Sequence, residues 1–334
     1  MPWTEILGQD TALRQLSQAV ARGKTGHAYL FYGPRGVGKR TTARVFAQAL
    51  ACRQEPLGGG CGECRTCYNI FIGSYPDLHW LSSEGSLKLE QTQQLVRQAF
   101  IAPQEGAYKV FVIAEAERLT PEAGNNLLKV LEEPPGNTVF ILTATSLPGV
   151  LPTIRSRCQP VGFSRLNDQL VRQLVQERGW ATPEQENLVV SMAAGSPGAA
   201  REIVKLGGLL AVREQNMALL DELNDSSAGL GLQPEEPGRA HLEVRLRVLA
   251  SLFRDMLVWR KTGEPERLVN RDQLAFIQRQ VDKWGDPRRG LEAIDRASRR
   301  LAQNANLPLL WEVLLLELAE GRGGSYANGS RSPI

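Results

Sequence analysis

The period of the apolar residues changes about midway along the chain. In the first half, short apolar runs bounded by turn residues recur at "HAYLFYG" (27–33), "DLHWL" (77–81), "KVFVIAEA" (109–116) and "TVFILTAT" (138–145). They are rich in β-branched and aromatic side chains, which predicts strands. Stretches with helical spacing, such as "RTTARVFAQALA" (40–51), lie between them. Alternating strands and helices predict an α/β fold, a parallel sheet covered on both faces, with ligands at the carboxyl ends of the strands.

After about residue 163 the strand signal fades. "NDQLVRQLVQERG", "PEQENLVVSMAAG" and "PGAAREIVKLGG" read as three short amphipathic helices. "NDSSAGLGLQPEEPGRA" (224–240) has the composition of a loop or linker. Beyond it, "HLEVRLRVLASLFRDMLVWRKTG", "RDQLAFIQRQVDKWG", "PRRGLEAIDRASRRLAQNAN" and "LPLLWEVLLLELAEG" carry apolar residues three and four apart, which predicts four more helices. The tail, 321–334, has little to bury and is expected to be disordered. The expected division is therefore a sheet domain over 1–163, a small helical domain over 164–207 and an all-helical domain over 208–320.

The run at 27–33 feeds "GPRGVGKRT", which follows G-x-x-x-x-G-K-[ST] from Gly33 to Lys39 but has Arg40 in place of the hydroxyl residue. Such a loop works because backbone N–H groups at a helix N-terminus face phosphate oxygens, while the lysine reaches the outer phosphates. Gly33, Gly36, Gly38 and Lys39 suit that task. Arg40 cannot ligate Mg²⁺, since a guanidinium only donates, and Thr41 comes one residue late. The partner site, an acidic pair ending a hydrophobic strand, is expected at "VFVIAEAE"; Ala114 stands at the metal position, leaving Glu115 as a remnant acid. With both metal ligands gone, hydrolysis should be very slow or nil, although the loop and Lys39 can still hold a nucleotide or an anion.

Between that loop and the next strand lie Cys52 and "CGECRTC", with Cys61, Cys64 and Cys67. C-x-x-C turns among Gly58, Gly59, Gly60 and Gly62 let four thiolates converge, so a closed, structural Zn²⁺ site is expected. Cys158, far away in sequence, reads as a small buried apolar residue. In "LPTIRSRCQP" (151–160), spacing alone gives the arginines nothing beyond surface charge.

Composition narrows the function. Among 334 residues, 39 basic side chains nearly balance 36 acidic ones, so any basic contact surface must be local. With no signal-like N-terminus and no membrane-length apolar run, a cytoplasmic protein is expected, where thiols stay reduced and available to metal.

These residues together resemble the clamp-loader branch of the AAA+ ATPases. The resemblance rests on "WTEILGQDTALRQLSQAVARGKTGHAYLFYGPRGVGK", the four-cysteine module, "NNLLKVLEEPPGNTVFILTAT", "SRC" at Ser156 to Cys158, and "RLAQNANLPLLWEVLLLEL". It implies a RecA-like AAA+ sheet, a helical lid and a helical collar that joins related subunits in a ring. It also implies that Arg157 is a finger acting in trans on a neighbour's ATP, which reverses the bland reading of that arginine. The implied partners are the tau/gamma motors, delta, and, through the complex, the sliding clamp and primed DNA.

Departures matter equally. Motor subunits carry a hydroxyl residue after the lysine, an Asp-Glu pair and a "GSxR" sensor arginine; here stand Arg40, Ala114–Glu115 and "GSPG", with Gly198 at the arginine position. Arg201 lies at the wrong offset, and Thr143 to Thr145 match a sensor strand with no metal to sense. The expected role is a stator in ATP-driven loading of the clamp during replication, without ATPase activity of its own. Its rival is an active tau/gamma-like ATPase in which Thr41 and Glu115 rescue metal binding. A sequence-reading zinc finger is disfavoured, because the cysteine cluster lacks histidines and a recognition helix.

Overall fold

The computed structural model describes residues 2–83, 85–224, 238–303 and 305–320. The expected linker falls largely, and the expected disordered tail wholly, outside the described residues. Residues group into two compact units, Met1–Val171 with Gly195–Gly198, and Arg172–Ala194 with Ala199–Ile334.

The first unit is built on five parallel strands: β1 (Ala28–Tyr32), β2 (Leu78–Leu81), β3 (Lys109–Ile113), β4 (Thr138–Ala144) and β5 (Gln159–Gly162), in spatial order β2-β3-β4-β1-β5. Both faces are covered, and the two-residue period sorts each strand between two cores. Tyr29, Phe31, Val110, Val112, Val139 and Ile141 point into one core, against Leu16 of α1 (Asp10–Ala21) and Phe46 of α2 (Lys39–Ala51). Leu30, Phe111, Ile113, Phe140 and Leu142 point into the other. There they meet Leu95 of α4 (Leu89–Ala99) and Leu127 of α5 (Pro121–Glu132). A strand buried on both faces must be apolar throughout, which is why these runs stand out in the sequence.

The short helix α3 (Arg65–Ile72) is capped by Cys64 and contains Cys67, and α6 (Pro152–Arg155) is one turn leading into β5. β5 departs from the four-strand expectation. It has four residues, includes Pro160 and lies at the edge beside β1, where a missing N–H is tolerated; so short a run carries almost no apolar period.

The chain continues through α7 (Asp168–Glu177), α8 (Pro183–Ala193), α9 (Pro197–Leu206), α10 (Leu209–Asn224), α11 (Arg239–Thr262), α12 (Leu274–Lys283), α13 (Pro287–Ala302) and α14 (Leu307–Glu320). Within the second unit, Leu220, Leu249, Phe253, Trp284, Ile294 and Trp311 share one core, and Phe253 meets the Trp284 ring edge-on at 4.7 Å. Gly290 lets α13 approach α11, because a β-carbon there would lie 2.2 Å from the Phe253 ring. Among the described residues, no helix is long and apolar enough to cross a membrane.

Candidate functional site

The phosphate-type loop joins β1 to α2 at the carboxyl end of the sheet. Gly33, Gly36 and Gly38 all take positive φ (143°, 71° and 107°), which lets the chain curl and then start a helix at Lys39. Gly33 is further fixed by space, since a β-carbon there would fall 2.1 Å from the Phe163 carbonyl oxygen. Gln9 ties the loop down: its amide donates to the Val37 and Ser164 carbonyls (3.1 and 2.8 Å) and accepts from the Ser164 N–H.

The loop is closed on itself. Lys39 Nζ donates to the carbonyls of Gly33 (2.5 Å) and Pro34 (2.6 Å) instead of projecting outward, and burial pushes its pKa down against the opposing pull of Glu117. The Gly198 N–H donates to the Gly36 carbonyl at 2.9 Å, and Ser196 Oγ donates to that of Arg35 at 2.9 Å. A β-carbon on Gly198 would sit 2.6 Å from Gly36 Cα. Gly198→Ala should therefore force backbone apart and cost about 1–3 kcal/mol, the usual penalty of overpacking. Thermal unfolding of the variant reads this directly, and an unshifted melting temperature would show that the contact yields freely.

Around the loop, the positions that lack the expected metal ligands carry other contacts. Arg40 holds its guanidinium over the Trp80 ring, 5.4 Å from the centroid. Ala114 is buried at the end of β3, and Glu115 follows in the left-handed region at φ 54°. The Glu115 carboxylate pairs with Arg118 (2.6 Å) and Arg35 (3.5 Å), and its N–H donates to Thr143 Oγ1 (3.1 Å). Thr145 donates through both N–H and hydroxyl to Glu117 (3.0 and 2.8 Å).

Cys52, Cys61, Cys64 and Cys67 converge, their sulfurs all within 4.8 Å of one another. Tetrahedral coordination at about 2.3 Å from a metal needs sulfurs just under 4 Å apart, so small adjustments suffice. Backbone N–H groups already donate to the sulfurs: Glu55 to Cys52 (3.4 Å), Cys64 to Cys61 (3.3 Å) and Cys67 to Cys64 (3.4 Å). Burial pushes the Cys52 thiol up, but donors led by the Glu55 N–H outweigh it and bring the pKa down to about 7. Gly60 leaves room for the cluster, as its β-carbon would lie 3.0 Å from Cys67 Sγ. The donor set fits a metal ion. Cys158 stands apart, buried in the sheet core with its thiol pushed up to about 12 by burial.

Arg157 follows α6, one residue before the buried Cys158. Its side chain is 30% exposed and forms an ion pair with Glu132 at the end of α5. The guanidinium also donates to the Thr153 carbonyl (2.8 Å) and to Ser156 Oγ (3.2 Å).

The family described as DNA polymerase III, delta subunit, matches residues 8–167. The delta-prime subunit of DNA polymerase III from Bacillus subtilis is 29% identical over 325 residues, covering 94% of this chain and 97% of that relative. The chain is similar to delta-prime subunits of DNA polymerase III. Gamma/tau of Mycobacterium tuberculosis is 38% identical over 194 residues, 57% of this chain; the chain spans about a third (33%) of that relative's length. A gamma subunit-related protein of Thermotoga maritima shares the fold, with a TM-score of 0.50 at 18% identity over 93% of this chain and 99% of that one.

In this delta-prime relative, two site residues escape sequence reasoning. Gln9 reaches the loop from 28 positions away, and Glu132 reaches Arg157 from 25. Neither separation leaves a period or motif to find; Glu132 sits inside "VLEEPP", but nothing in that string names its partner.

Proposed function

We propose that this chain is the stator of a clamp loader: a cytoplasmic, non-hydrolysing subunit that supplies Arg157 to the ATP site of a neighbouring tau/gamma-like motor. Through that complex, which would also contain a delta subunit, it serves the loading of a sliding clamp on primed DNA. The observation that carries this reading is the loop's engagement with its own chain. Lys39 is spent on Gly33 and Pro34, Gly198 abuts Gly36, and Glu115 is neutralised by two arginines. A carboxylate held by two cations is a poor metal ligand, which also weighs against rescue of catalysis through Thr41 and Glu115.

The remaining roles follow the same reading. The four cysteines hold a structural Zn²⁺, supplying a cross-link where the glycine-rich segment has little core. Residues 164–207 act as the lid and 208–320 as the collar that joins subunits, as helical bundles do through large apolar faces. Gln9 and Gly198 brace the loop from within.

The purified chain should show no ATP turnover above background. Steady magnesium-dependent hydrolysis abolished by Lys39→Ala would overturn the stator reading and favour an active motor.

A further inference from the structure

The ion pair at Arg157 bears on how the finger is controlled. Glu132 Oε1 accepts from both Nε (2.6 Å) and Nη2, while Nη1 donates to the Thr153 carbonyl and Ser156 Oγ. Four hydrogen bonds thus engage a group that offers five N–H donors. A phosphate is best held bidentately by two parallel N–H groups on one edge of the fork. The Nε/Nη2 edge is taken by Glu132, and Nη1 is spent on the chain's own turn. Arg157 therefore cannot present a full edge to a phosphate while Glu132 holds it.

The geometry points to Glu132 as a latch that restrains Arg157 in the free subunit and gives way when the γ-phosphate of a neighbouring subunit's nucleoside triphosphate arrives. This rests on the reading of Arg157 as a finger in trans. The pair is suited to such an exchange. Its members are 30% and 49% exposed, and solvent-exposed ion pairs are worth at most about fivefold in an equilibrium constant. A phosphate carries more charge than one carboxylate and would be met away from bulk water, so it outcompetes Glu132 on docking. Water in the free subunit does not. Were Glu132 to stay, it would cancel the charge that the finger brings to the transition state.

Glu132→Gln keeps the shape and removes the charge. In a complex reconstituted with motor subunits, ATP turnover would be followed as this chain is titrated in. The variant should lower the half-saturating concentration by about two- to fivefold and leave the maximal rate unchanged. Arg157→Ala and the double variant should share one reduced rate. In the free subunit, labelling of Arg157 by phenylglyoxal, read by mass spectrometry, should be faster in Glu132→Gln; this holds the test independent of assembly. If Arg157→Ala slows turnover but Glu132→Gln leaves both readouts unchanged, or raises the half-saturating concentration, the latch is wrong and the finger stands. If Arg157→Ala changes nothing, the finger falls and the latch with it.

Discussion

Arg157→Ala should slow ATP hydrolysis by the motor subunit that this chain serves by about 10³ to 10⁵, the range over which trans arginines stabilise the charge of phosphoryl transfer. That corresponds to about 4–7 kcal/mol of transition-state stabilisation. The loss should appear without a loss of assembly. Among the described residues Arg157 bonds to Glu132, Thr153 and Ser156, and removing one partner of so exposed a pair costs at most about 1 kcal/mol of stability. How much of the loss reaches bulk turnover depends on the other motors. If they fire independently, the complex loses only the served site's share; if they fire in order, the whole cycle falls to the slow site's rate. Single-turnover hydrolysis separates the two cases. Arg157→Lys should recover little, because an ammonium lacks the planar fork that spans two phosphate oxygens. Turnover unchanged by Arg157→Ala would remove the role assigned to it.

What the sequence makes legible follows from where burial is complete. β1, β3 and β4 are apolar on both faces and read as strands at once, whereas β5, with four residues and Pro160 at an edge, pairs along one side with β1 and left no period. α10 escapes as well, since its apolar residues do not gather on a single stripe, although Leu219 and Leu220 reach the shared core. Site residues divide the same way. Gly33, Gly36, Gly38 and Lys39 follow a fixed local spacing, and the cysteines carry theirs in the C-x-x-C turns. Gly198 is visible as a departure from a motif, but its backbone bond to Gly36 is not, because it joins residues 162 positions apart. Gln9 and Glu132 likewise depend on distances that only the folded sheet sets.

Removing metal from the cysteine module should have the largest effect on order. Structural zinc sites bind with apparent free energies of about 10–16 kcal/mol near neutral pH, comparable with the whole stability of a domain. Chelation should therefore release one Zn²⁺ per chain and loosen residues 52–67. Cys64→Ser is the informative variant. Cys64 also caps α3 by accepting the Cys67 N–H, and serine is among the best residues for that position, so the cap survives while a metal ligand is lost. Faster hydrogen exchange at the amides of positions 64 and 67 then reports metal loss rather than a frayed helix. Disorder should spread to the start of the chain, where the Trp3 N–H donates to the Gly58 carbonyl at 2.9 Å, and to the Gln48 amide that holds the Cys67 carbonyl. It should stop at α2, whose Val45 and Phe46 are wholly buried against the sheet. Cys158→Ser, outside the cluster, should leave the zinc content unchanged. Should Cys64→Ser keep stoichiometric zinc and native exchange rates, the four sulfurs do not act as one metal site, and the segment owes its order to the Trp3 and Gln48 contacts alone.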